Sequence, residues 1–182
     1  MVALGTAAPD FALPDVATGR TVRLADFDEK KALLVMFICR HCPFVVHVQD
    51  ELAHIGRDFQ YDNIGIVAIS SNDAAAYPDD APKSLAEQSR RVGFTFPYVY
   101  DESQDIARAY GAACTPDFFL FDQGTLVYRG QLDDSRPGND KPVNGRDLRA
   151  AIDAVLSGRA ASHQQTPSIG CNIKWKAPAG GV

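Results

Sequence analysis

The chain has little of what marks the more specialised protein classes. Its apolar run Ala32–Ile38 is far shorter than a bilayer-spanning helix requires. There is no excess of positive charge: 18 Lys and Arg stand against 23 Asp and Glu, a net charge of −5. That balance argues against nucleic acid and anionic membrane surfaces as partners. The opening MVALGTAAPD carries neither a basic region nor an apolar core of signal-peptide length, so a cytoplasmic protein is expected. There are only four cysteines, and in a reducing compartment they point to catalysis or metal binding rather than to a disulfide framework. No internal repeat occurs, and no second domain is evident.

What remains is an ordinary globular composition, 46% hydrophobic and 23% charged over 182 residues, enough for one domain with a sizeable core. The division expected is a domain over residues 1–158 and a C-terminal tail over 159–182. Phe11 to Phe27 reads as a hairpin turning at Thr18-Gly19-Arg20. Ala32–Ile38 is uniformly apolar, as a strand buried on both faces would be. From Phe44 to Phe59, Val45, Val48, Leu52, Ile55 and Phe59 recur at spacings of three and four, a helix with one buried stripe. A strand at Ile64–Ile69, a helix at Ser84–Val92 and a short strand at Pro97–Tyr100 follow. Asp101 with Gln104 has the form of a capping box opening a helix to Tyr110. Asp117–Phe121 and Thr125–Tyr128 flank a turn, and a last helix carries Leu148, Ile152, Val155 and Leu156. This order implies an α/β fold: a central mixed sheet, helices on both faces, and an N-terminal β-hairpin extension.

The chemistry is concentrated at Cys39-Arg40-His41-Cys42-Pro43, where the apolar strand gives way to the first long helix. Two cysteines three positions apart can close a disulfide in a tight turn. A helix N-terminus lowers a thiol pKa, because its free N–H groups and dipole favour the thiolate. Arg40 and a charged His41 are expected to push the same way. Pro43 lacks the N–H of a regular helix and is tolerated in a first turn. Cys114-Thr115-Pro116 precedes the later strand. Cys171 lies in the segment Pro167–Trp175, where it either resolves a mixed disulfide or packs as a small apolar group beside Ile173 and Trp175. Cys114 is open between an accessory redox thiol and a buried small hydrophobe.

These motifs resemble the alkyl hydroperoxide reductase/thiol-specific antioxidant group of the thioredoxin superfamily, and most closely its small peroxiredoxin-like proteins that keep a two-cysteine motif. Ala8-Pro9-Asp10-Phe11, Phe37-Ile38-Cys39-Arg40-His41-Cys42-Pro43 and Ala113-Cys114-Thr115-Pro116-Asp117 carry the likeness. The resemblance implies a thioredoxin-like fold in which Pro116 is cis and Thr115 offers its backbone to an extended substrate. By analogy Cys39 is the exposed attacker and Cys42 the resolver, with Arg40, His41, Pro43, Thr115 and Pro116 shaping the substrate site. It also implies electrons from a thiol donor such as a thioredoxin or glutathione system, and no bound cofactor.

Departures from the pattern matter too. A peroxiredoxin of that group has a threonine three residues before its reactive cysteine; here that position holds Cys39 when counted from Cys42, and Met36 when counted from Cys39. Thr115-Pro116 stands where an arginine is expected. Thiol–disulfide exchange is therefore favoured over peroxide reduction, which remains the enzymatic alternative. A carboxylate beneath the cysteines is not evident in Ala32–Ile38. A metal-binding or copper-delivery module is the non-enzymatic alternative, because thiolates suit zinc or Cu(I); no metal is assigned. His47, Glu51, His54 and Asp58, at helical spacing, read as a solvated helix face.

Overall fold

The computed structural model describes residues 2–179. Its strands are β1 (Ala12–Pro14), β2 (Thr21–Arg23), β3 (Ala32–Phe37), β4 (Ile64–Ser70), β5 (Tyr98–Tyr100), β6 (Cys114–Thr115), β7 (Asp117–Asp122), β8 (Thr125–Gly130) and β9 (Cys171–Asn172). Its helices are α1 (Pro43–Phe59), α2 (Pro82–Val92), α3 (Asp105–Tyr110) and α4 (Arg146–Leu156). The main sheet has the order β5-β4-β3-β7-β8. β3 pairs in parallel with β4 and antiparallel with β7, so the sheet is mixed and β3 is its centre. That position explains why every residue of Ala32–Phe37 is apolar: all six are buried.

Alternation along β3 divides the core in two. Ala32, Leu34 and Met36 face the α1 stripe of Val45, Val48, Leu52, Ile55 and Phe59, with Leu85 of α2 and Leu148, Ile152 and Val155 of α4 in the same cluster. Leu33, Val35 and Phe37 face the other way, onto Phe11 and Leu13 of the N-terminal hairpin and Ala107 and Tyr110 of α3. Helices thus cover both faces, as expected. This is a thioredoxin-like fold with a small N-terminal hairpin sheet. Between β7 and β8 the chain reverses through Gln123 and Gly124, both at positive φ (46° and 78°), a backbone course that suits the twist of a two-residue hairpin.

Two expectations change. Asp101 and Gln104 do not form a capping box. Gln104 stands at φ 67°, outside a helix that begins at Asp105, and its side-chain amide donates to the carbonyls of Ser71 (2.7 Å) and Lys174 (2.9 Å). Asp101 reaches into the first turn by itself, accepting from the Ala107 N–H at 3.0 Å. The second change concerns residues 171–176, read from sequence as part of a tail with little periodicity. β9 pairs antiparallel with β6. Ile173 is buried in the second core cluster, and the Lys174 N–H donates to Asn72 Oδ1 at 2.9 Å.

Candidate active site

β3 runs into the two-cysteine turn, and α1 starts with Cys42 as its N-cap and Pro43 as its first helical residue. Proline loses nothing there, since that N–H has no intrahelical partner. Cys39 and Cys42 both lie inside the protein, 1% and 0% exposed. Cys39 is therefore not the exposed thiol that analogy suggested. The Thr115–Pro116 bond is cis, and Thr115 sits directly against both sulfurs. Its hydroxyl is 3.5 Å from Cys39 Sγ, and the Cys42 thiol, when protonated, donates to its carbonyl oxygen at 3.3 Å.

The two thiols are not equivalent. Cys42 is lowered to about 4, chiefly because the Cys39 thiol donates to it; burial opposes, and the Cys171 thiol, the Thr115 side chain and the Val45 N–H of the first helical turn assist. Cys39 moves the other way, raised by giving its proton to Cys42, by burial and by the negative charge of Asp80. The opposite directions of the two shifts favour the thiolate on Cys42, the sulfur at the helix end. A dithiol in this state can exchange with a disulfide, because the thiolate is the nucleophile.

Arg40 and His41 do not act on the sulfurs as expected. The Arg40 guanidinium turns to α2, donating to the Ser84 carbonyl (3.1 Å) and Glu87 (3.2 Å). The His41 ring bonds Asp80 and stacks on Tyr77 at 5.4 Å. Pro43 is exposed at the helix start and Pro116 is buried. Cys114 points aside: its thiol lies 3.6 Å from the Pro116 carbonyl and 3.9 Å from that of Ser168. Burial, then Asp117, push it up to about 12, which suits an inert thiol. Cys171 lies directly across the β6–β9 ladder from Thr115 and packs against the cluster that holds both cysteines.

The carboxylate absent from β3 comes from elsewhere. Asp80 is fully buried and accepts from the Arg40 N–H (2.8 Å), the His41 N–H (3.2 Å) and Asn72 Nδ2 (2.9 Å). It fixes the backbone of the two residues between the cysteines. Below it, Gln88 donates to the Cys39 carbonyl at 3.3 Å and accepts from Tyr98 at 3.1 Å. Asp80, Asn72, Gln88 and Tyr98 were not foreseen. Asp80 and Asn72 lie in a loop without periodicity, and no local pattern links them to Cys39. Among the described residues, Cys39, His41 and Asp80 bring one potential metal ligand each within 4.8 Å of one another. Both Asp80 oxygens are already occupied by protein donors, so that trio is better matched to holding the turn than to holding an ion.

The AhpC/TSA family model matches residues 4–129. The chain belongs to the AhpC/TSA family. As an AhpC/TSA protein it is 33% identical over 129 residues to the thiol-disulfide oxidoreductase ResA of Geobacillus thermodenitrificans, spanning 69% of this chain and 67% of that one. A crystal structure of an uncharacterized conserved protein from Geobacillus kaustophilus superposes with a TM-score of 0.96 at 53% identity, covering 98% of this chain and 95% of that one. A putative thiol:disulfide interchange protein DsbE from Chlorobium tepidum shares the fold at TM-score 0.67 and 21% identity, over 86% of this chain and 99% of the other.

Proposed function

We propose that Cys39 and Cys42 form a reversible dithiol–disulfide couple, and that Cys42 is the attacking sulfur. The family makes the chain a thiol-dependent oxidoreductase. The couple itself rests on one observation: two buried thiols flank the start of α1 and both meet Thr115, Cys39 Sγ at the hydroxyl (3.5 Å) and Cys42 Sγ at the carbonyl oxygen (3.3 Å). The Cys42 thiolate attacks one sulfur of a substrate disulfide and expels the other as a thiolate. Cys39 then attacks Cys42, gives up its proton, releases the second substrate thiol and closes Cys39–Cys42. A thiol donor, of the thioredoxin or glutathione type, returns two electrons. Cytoplasmic residence belongs to this proposal, on charge and composition alone.

Peroxide reduction is the second reading, favoured by the family and by the Thr115 hydroxyl beside the sulfurs. It would need a cation to polarise the peroxide. Arg129, on the strand next to β7, is taken up elsewhere: it donates to the Gly111 carbonyl (2.7 Å) and Asp117 (3.2 Å) and lies over Phe119, on the sheet face away from Cys42.

Trapping in a Cys171→Ser background separates the roles. There Cys39→Ser should accumulate mixed disulfides on Cys42, because no neighbouring thiol is left to displace the substrate, and Cys42→Ser should accumulate none on Cys39. The opposite pattern returns the attack to Cys39.

A further inference from the structure

β9 occupies the edge that the family resemblance reserves for a substrate. Thr115 pairs with Cys171, and Cys114 with Asn172. The approach is close enough that only glycine fits beside it: a Cβ on Gly170 would stand 1.9 Å from the Thr115 carbonyl oxygen. The segment is anchored on both sides of Cys171. Upstream, Ser168 donates to the Gly130 carbonyl at 2.8 Å; downstream, the Asp73 N–H donates to the Lys174 carbonyl at 2.9 Å and the Lys176 N–H to Gln104 Oε1 at 2.9 Å. Between these anchors Cys171 lies directly across the ladder from Thr115, whose carbonyl Cys42 Sγ meets at 3.3 Å, and it packs against the core cluster that holds Cys39 and Cys42. Cys42 therefore has two thiol neighbours, Cys39 and Cys171, and the couple described above uses only the first.

We propose that β9 is an internal substrate: it fills the docking edge beside Thr115 and presents Cys171 to Cys42 for thiol–disulfide exchange. This rests on Cys42 being the attacking sulfur. With oxidised glutathione as oxidant, the Cys42 thiolate breaks the glutathione disulfide, forming a Cys42–glutathione bond and releasing one glutathione thiolate. Cys171 then attacks Cys42 Sγ, and its proton goes to the second departing glutathione sulfur. One glutathione disulfide is reduced by two electrons, and Cys42–Cys171 is formed. The barrier to ionising Cys171 falls at that moment. Burial and the neighbouring Cys42 raise its pKa to about 11, and the Cys42 contribution vanishes once Cys42 is in a disulfide. Cys39 can next attack Cys42, releasing Cys171 as a thiol and leaving Cys39–Cys42. An extended polypeptide disulfide, by contrast, reaches Thr115 only when β9 has left.

The test uses the full chain carrying Cys39→Ser and Cys114→Ser, so that Cys42 and Cys171 are the remaining thiols, treated with oxidised glutathione and mapped by peptide mass spectrometry. The expected product is a Cys42–Cys171 bond with loss of two hydrogens and no lasting glutathione adduct. Adding Gly170→Val, which drives the strand off the Thr115 carbonyl while keeping both thiols, should convert that product into a persistent adduct on Cys42. A persistent adduct with Gly170 intact overturns the proposal, as does ring closure at an unchanged rate in the Gly170→Val protein. Cys42 left free, in a buffer that links Cys39 to Cys42 in the unaltered chain, also overturns it. The unaltered chain separates the two claims: failure to form Cys39–Cys42 there counts against the couple rather than against β9.

Discussion

At the scale of single residues, the site is an arrangement for placing one proton. Three donors surround Cys42, in Cys39, Cys171 and Thr115, and the start of α1 adds the Val45 N–H. Cys39 instead faces the buried carboxylate of Asp80. Reduction of the disulfide at neutral pH then takes up two electrons and one proton, giving Cys39 thiol and Cys42 thiolate. The midpoint potential should fall by about 30 mV for each unit rise in pH, the two-electron value for a single proton. Below about pH 4 Cys42 is protonated as well, and the slope should steepen to about 60 mV per unit. A redox titration across this range checks it; the steeper slope persisting through neutral pH would mean that both sulfurs stay protonated. The residues between the cysteines were legible only in part. Cys39, Cys42, Thr115 and Pro116 stand in short contiguous motifs and could be read directly. Arg40 could not, because a guanidinium on a flexible stem follows its partners, and those are the Ser84 carbonyl and Glu87 on α2. Asp80 was hidden because the turn residues it holds, Arg40 and His41, lie 40 and 39 positions away.

Among the elements, α1 is where sequence and structure agree most closely. Its apolar spacing fixes the buried stripe, and Pro43 fixes the start. The face opposite the stripe was read as solvated, and at Glu51 it is not. Glu51 is buried beneath α4, where it accepts from Arg149 Nε at 2.6 Å, and the same guanidinium reaches Asp58 at 2.8 Å. Helical periodicity reports which face is apolar; it does not report that a second helix arrives with an arginine. Arg149→Ala should leave the Glu51 carboxylate without its cation and lower stability by about 2 kcal/mol, in the range for a hydrogen bond to a charged group. Chemical denaturation checks this, and a loss below about 0.5 kcal/mol would place the pair among surface ion pairs of little worth. β9 lies at the other extreme. Two residues are too few to show a strand's alternation, and Cys171 acquires its meaning only from Thr115 across the ladder.

For the whole molecule, the order of elements along the chain was enough to give the mixed sheet and the two covered faces, because an all-apolar β3 has to be central and helices must cover what it leaves. The sheet then carries the chemistry by position: the carboxyl end of β3 delivers the cysteines, the loop after β4 delivers Asn72 and Asp80, and the entry to β7 delivers Thr115 and Pro116. None of the described helices is long and apolar enough to cross a membrane. The four cysteines are all unpaired in this structure. The most direct measurement equilibrates the full, unaltered chain across a graded series of glutathione redox buffers, quenches it with acid and maps the linkages by mass spectrometry. A single two-electron transition, with Cys39 joined to Cys42 on its oxidised side, is the predicted result. Full oxidation of the buffer with Cys39 and Cys42 never joined to each other would contradict the account.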